Sequence, residues 1–189
     1  ARRTMVVLFN GEGTVARTAV SGFLFARKLH YLMDNGKMKY VLANGTGPMS
    51  DKFSRNFRHF LWMDKVIYMI DDIAAHKSGH FEWLWHYNGK AVKRGADVTV
   101  TSDSASVVIR PLYPRLLAYP ISYMTIRRFV LGSEKRTTED LKGEEEYYSF
   151  HLPGEHKRVK GLTAVILKDS PDDKDLPMME RTEGKDWIG

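Results

Sequence analysis

The sequence predicts an all-β fold, a two-layer and mainly antiparallel sandwich, on three observations. Short runs rich in Val, Ile, Thr, Phe, Tyr and Trp recur along the chain, and Asn-Gly, Gly-Thr-Gly-Pro and Lys-Ser-Gly turn signals punctuate them. Val66–Ile70 is apolar or aromatic at every position, as a central strand covered on both faces should be. Asp97-Val98-Thr99-Val100-Thr101 alternates strictly, so one of its faces belongs in a core and the other in solvent.

In chain order the strand candidates are Thr4–Phe9, Val15–Phe25, Met38–Ala43, Phe53–Trp62, Val66–Ile70, Phe81–Tyr87, Asp97–Thr101, Ser106–Leu112, Ile121–Val130, Tyr147–His151 and Gly161–Leu167. A helix is the open alternative around Gly22–Met33 only. Asn35-Gly36 and Asn88-Gly89 fall between strand candidates, where positive φ at both central residues suits a two-residue hairpin. The charged stretch Glu134–Glu146 reads as a surface loop. No Gly/Ser/Pro-rich linker divides the 189 residues, so residues 1–168 are expected to form one sandwich domain. Residues 169–189, with Ser170-Pro171-Asp172-Asp173, read as a charged C-terminal tail that wraps along the surface or frays. The abrupt strand-like start at Thr4 leads us to expect that a preceding portion has been removed.

A hydrophobic fraction of 43% with nine Phe, nine Tyr and four Trp suffices for a substantial core and excludes a disordered chain. No apolar run reaches the roughly 20 residues that would cross a bilayer, and no membrane partner is expected. The absence of cysteine excludes a disulfide framework and leaves His, Asp and Glu as the only candidate ligands for a transition metal. The net charge of +6 is uneven: residues 1–60 hold ten Lys/Arg against three Asp/Glu. That field suits a polyanion, either nucleic acid or an acidic polysaccharide, or serves as a solvated basic surface. No nucleic-acid-binding motif accompanies the charge, which argues against nucleic acid. Nor does the chain show a nucleotide loop, a nucleophile elbow or a His-Glu-x-x-His motif.

Two segments carry candidate site residues. In Phe81-Glu82-Trp83-Leu84-Trp85-His86-Tyr87 the period of a strand puts Phe81, Trp83, Trp85 and Tyr87 on one face and His86 on the other. The aromatic face is either core or a sugar-stacking platform, and His86 is either a hydrogen-bonded residue or a metal ligand. Arg55 and Arg58 lie in Phe53–Phe60, where basic and aromatic residues interleave. Their planar forks either neutralise a sugar carboxylate or sulfate or pair with Asp51, Asp64, Asp71 or Asp72 to tie strands together.

The ordered segments Asn10-Gly11-Glu12-Gly13, Tyr40-Val41-Leu42-Ala43-Asn44-Gly45-Thr46, Arg55 with Arg58, Val66–Ile73 and Trp83-Leu84-Trp85-His86 resemble the C-terminal domain of the heparinase II/III-like polysaccharide lyases. With Val107–Pro114 and Leu162–Leu167 the resemblance covers most of residues 1–168. It implies a preceding α/α-toroid, missing from this chain, and cleavage of acidic, uronate-containing polysaccharide by β-elimination in a periplasmic or extracellular setting. It also implies a zinc ion held by two His and one Asp. His86 falls where the strand-borne ligand is expected, Asn44 falls on the position of the Asp, and the remaining His falls near Arg2 or Arg3. Neutral Asn is a poorer zinc ligand than carboxylate and Arg is none, so one clear ligand stands where three are needed, unless His30, His59 or His80 substitutes. The resulting expectation is the accessory sandwich of a polysaccharide lyase, inactive by itself, with a non-catalytic carbohydrate-binding or purely structural sandwich as the alternative.

Overall fold

Alternation of apolar and polar positions decides which face each strand buries, and here it yields two facing sheets. The computed structural model describes residues 6–13, 28–87, 89–102, 105–126, 130–131, 134–135 and 142–170. Its strands in the first half are β1 (Val6–Phe9), β2 (Lys28–Asp34), β3 (Met38–Asn44), β4 (Phe53–Met63), β5 (Val66–Gly79), β6 (Phe81–His86) and β7 (Lys90–Arg94). Those in the second half are β8 (Asp97–Ser102), β9 (Ala105–Tyr113), β10 (Leu117–Ile126), β11 (Val130–Leu131), β12 (Glu134–Lys135), β13 (Lys142–His151) and β14 (His156–Lys168). The larger sheet has the order β2-β3-β4-β5-β14-β9-β8-β7, the smaller β1-β6-β13-β10, and β11 pairs with β12. All neighbours are antiparallel, so the predicted all-β, mainly antiparallel sandwich is the observed architecture.

The core is built where the inner faces of the two sheets meet. Phe81 and Trp83 of β6, Phe9 of β1, Phe53 of β4 and Ile73 of β5 are all buried there. Phe9 meets Phe53 and Phe81 edge to face at 5.4 and 5.1 Å, a geometry that brings the positive edge of one ring to the negative face of another. Trp85 is half-buried against this cluster. The alternating aromatic face of Phe81–Tyr87 is thus core and not an exposed platform. On the opposite face of the larger sheet Val66, Val108, Ala164 and Ile166 form a second buried cluster. β5 therefore buries residues on both faces, as its uninterrupted apolar run predicts.

Several segments differ from the sequence reading. Within Gly22–Met33, residues 28–33 belong to strand β2, paired with β3, so no helix covers them, and residues 22–27 fall outside the described set. β-branched and aromatic content is modest in β2, and the neighbour strand supplies the hydrogen bonds that local propensity does not dictate. Lys142–Glu146, part of the stretch that reads as a loop, forms the start of β13, held by β10 through pairs such as Ser122 with Glu146. β7 has no counterpart among the strand candidates because Lys90, Lys93 and Arg94 make it charged; it is an edge strand, where lysines discourage further pairing. β6 and β7 belong to different sheets, so no two-residue hairpin pairs them, and Asn88 of the Asn88-Gly89 turn signal lies outside the described residues. Gly89 takes φ +118°, and a Cβ would collide with the Thr101 carbonyl oxygen. At Asn35-Gly36 only Gly36 has positive φ, and the Asn35 side chain instead accepts hydrogen bonds from the Lys37 and Met38 amides. Residues 14–27, which include the candidate strand Val15–Phe25, and most of the 169–189 tail lie outside the described set.

The end of β6 is tied to β13 by the Tyr87 hydroxyl, which donates to Glu146 Oε2 at 3.0 Å. Loss of hydration and this bond to a carboxylate both favour the neutral phenol, whose pKa is pushed up to about 12 from 10.0. A raised folded-state pKa gives stability that is complete below pH 10 and lost as pH rises towards 12. Tyr87→Phe is expected to flatten the alkaline decline of stability over that window. Denaturant midpoints measured across it check this; identical slopes in both proteins would refute the assignment.

Candidate functional site

Two of the predicted residues come from the β4–β5 hairpin, whose loop is Asp64-Lys65. Asp64 has φ +47°, and its carbonyl accepts from Trp62 Nε1 at 2.8 Å. The tight loop pins the register, so Arg58 stands directly opposite Asp71. Arg58 Nε and Nη2 donate to the two carboxylate oxygens of Asp71 at 2.6 and 3.0 Å. Trp83, from the other sheet, donates its Nε1–H to Asp71 Oδ2 at 2.8 Å. Arg58, Asp71 and Trp83 thus form a satisfied polar joint between the layers, with Asp71 only 5% exposed.

Three residues away, an odd spacing along the strand, Arg55 projects on the opposite face. Its Nη2 lies 2.6 Å from Asp72 Oδ2, and its guanidinium stands 4.6 Å from the centroid of the Phe57 ring. The structure therefore does not bring Arg55 and Arg58 together. Arg58 is committed to the interior, whereas the Arg55 side chain is 47% exposed and reaches solvent over an aromatic ring.

The candidate zinc residues are also kept apart. Ala43 pairs with the inward Arg58 and Asn44 with Phe57, so alternation turns Asn44 to the outer face of the larger sheet. Trp83 and Trp85 point inward from β6, so His86 faces outward from the smaller sheet, its ring 5.1 Å from that of Tyr147. Asn44 Oδ1 accepts the Thr46 amide. Of the substitutes, His59 Nδ1 bonds the Tyr40 hydroxyl at 2.7 Å, and His80 Nδ1 lies 3.2 Å from the Gly154 carbonyl oxygen. The His30 side chain and residues 2–3 are outside the described set. Among the described residues no group of three or more His, Asp or Glu could hold a metal ion. Zinc needs four close ligands in a tetrahedron, and an Asn and a His on opposite outer faces of a sandwich do not fit it.

A polar cluster with no signature in the sequence sits on the outer face of the smaller sheet. Ser149 Oγ donates to Glu82 Oε2 at 3.1 Å and lies 2.9 Å from His151 Nε2. This is not a nucleophilic triad. A relay needs the acid and the serine on different ring nitrogens, whereas here Glu82 also approaches Nε2, at 3.6 Å, and Ser149 is 2% exposed. What the cluster does is fix the His151 ring, and Tyr119 packs edge-on against that ring at 5.2 Å.

Tyr119 also borders a cleft of about 660 Å³ where the chain passes from β9 in the larger sheet to β10 in the smaller. Leu116 and the buried Ala118 line it, and Tyr113 and Tyr119 stand on its walls with 53% and 48% of their surfaces exposed. Lys93 and Arg115 complete it, and among the described residues no carboxylate lines it. The nearest acid in sequence, Asp97, is held by Arg110 through Nε and Nη2 at 3.0 and 2.7 Å. Burial of that pair is partial, yet the bidentate geometry neutralises the Asp97 charge beside the β7–β8 turn. Lys93 and Arg115 lie 22 positions apart with no shared motif, so no local sequence signal marks this cleft.

The fold defines a two-sheet, antiparallel β-sandwich domain. The chain is similar in structure to the heparan sulfate lyase HepC from Pedobacter heparinus, with TM-score 0.65 and 11% identity over 89% of this chain and 24% of that one. It is similar also to a heparinase III, the BT4657 gene product, with TM-score 0.65 and 9% identity over 89% of this chain and 24% of that one. The chain spans about a quarter of the length of these proteins. At this identity the likeness establishes the shared sandwich fold. No protein-family profile matches the sequence, and no curated protein matches it.

Proposed function

We propose that this chain is the accessory β-sandwich of a polysaccharide lyase that acts on uronate-containing polysaccharide by β-elimination in a periplasmic or extracellular setting. The observation that supports this reading is the likeness, over nearly the whole chain, to one quarter of heparan sulfate lyases. In β-elimination a base removes the proton α to the uronate carboxyl, an acid protonates the departing glycosidic oxygen, and a carbon–carbon double bond remains in the product. The reading assigns that base and acid to a helical α/α-toroid domain that the sandwich packs against. Arg55, exposed and backed by Phe57, is the residue of this chain best placed to exchange its Asp72 partner for a sugar carboxylate or sulfate.

The experiment is an absorbance assay for unsaturated uronate ends with several uronate polymers. The 189-residue chain alone is expected to release none, and the longer protein that carries this sandwich is expected to release them. Turnover by the chain alone would assign catalysis to the sandwich and overturn the accessory role. Silence of the longer protein on every uronate polymer would overturn the lyase reading itself.

A further inference from the structure

Between the β7–β8 turn and the β9–β10 crossing, the cleft joins exposed aromatic rings to two cations. We propose that it binds one anionic sugar residue of a polysaccharide chain, the ring lying on Tyr119 and the carboxylate or sulfate held by Arg115 and Lys93. Three independent features support this. The volume, about 660 Å³, falls within the range of small-molecule sites and exceeds a single monosaccharide, which leaves room for the chain to continue. Both cations on its walls are exposed, and among the described residues neither forms an ion pair and no carboxylate lines the cleft, so its field is positive.

The third feature is preorganisation. An exposed tyrosine ring ordinarily loses rotamer freedom when a ligand stacks on it. Here the Tyr119 ring already rests against His151, whose Nε2 is approached by Ser149 and Glu82. The otherwise unexplained polar cluster on the smaller sheet thus acquires a role as the support of the stacking face. A pyranose presents C–H groups to such a ring, and the arginine fork matches a carboxylate or sulfate through two parallel hydrogen bonds. The choice of a sugar as the flat, anion-bearing partner rests on the polysaccharide reading above; the ring-plus-anion chemistry rests on the cleft.

The test is isothermal titration of the chain with three tetrasaccharides: a sulfated heparan fragment, an unsulfated uronate-containing fragment and a neutral glucan. The two acidic ligands are expected to bind and the neutral one to bind at least about tenfold more weakly, the equivalent of one lost charge-assisted contact. Tyr119→Ala and Arg115→Gln should each weaken acidic-ligand binding about tenfold, and Tyr119→Phe should retain it. Lys157→Gln, which removes one charge outside the cleft, should leave it unchanged. Lys93→Gln, at an exposed position, keeps the test open should another variant fail to fold. Unaltered binding in folded Arg115→Gln or Lys93→Gln protein, or equal affinity for the neutral glucan, would overturn the proposal. Failure of the two readings is distinguishable. Silence in titration with uronate release by the longer protein refutes the cleft alone, and cleft-dependent binding without uronate release refutes the lyase reading alone.

Discussion

Replacing Asp71 by Ala is expected to destabilise the fold by about 3–5 kcal/mol, the cost of breaking a buried ion pair from one side. The carboxylate accepts from Arg58 twice and from Trp83 once, at 2.6 to 3.0 Å. Without it a guanidinium whose side chain is 17% exposed, and an indole N–H in the core, lose their acceptor together. The removed carboxylate leaves a gap that water fills poorly at this depth. The pair viewed as a whole is less valuable than this figure suggests, because both charges had to be desolvated. A double Asp71→Leu/Arg58→Met variant is therefore expected to lose less stability than Asp71→Ala alone. Denaturant titration of the three proteins decides the matter, and a loss under about 1 kcal/mol for Asp71→Ala would contradict the burial of the carboxylate.

Trp83→Ala is expected to cost about 3–5 kcal/mol as well, through a different mechanism, the cavity left by a large core aromatic. Trp83 is 4% exposed, stacks on Phe81 with centroids 6.3 Å apart, and packs over Gly161 of β14, where a Cβ would lie in ordinary contact, 3.7 Å from the indole. Trp83→Phe keeps most of the apolar surface and removes the donor to Asp71, so its cost should be nearer about 1–2 kcal/mol. Because Trp83 and Asp71 share a hydrogen bond, their combined loss should be smaller than the sum of the single losses. Strict additivity in a double-mutant cycle would show that the bond across the sheets carries no energy of its own.

The members of this joint are legible in the sequence to different degrees. The alternation of Phe81, Trp83, Trp85 and Tyr87 identifies two alternating faces directly, because the strand period couples spacing to side-chain direction. For Arg58, residue type and spacing allow both sugar binding and pairing with an aspartate. A signal that separates the two lies in the hairpin: with Asp64-Lys65 as a two-residue loop, the register places residue 58 opposite residue 71. The link to Trp83 is beyond such counting. Trp83 belongs to the other sheet, and which strands face one another across a sandwich depends on crossovers that local periodicity does not encode.

The remaining features divide along the same line. Hydrophobic spacing within single strands is enough to fix the all-β class, the doubly buried β5 and the aromatic face of β6. It also pointed to a structural likeness to heparinase sandwiches through the order of its segments. Tertiary structure made β7 a lysine-bearing edge and put β6 and β7 in different sheets, because pairing partners override weak local preference. It alone set Asn44 and His86 on opposite outer faces, which a linear resemblance places side by side. And it alone assembled Lys93, Arg115, Tyr113 and Tyr119 around one cleft, since charges and rings distant along the chain converge only where a strand leaves one sheet for the other.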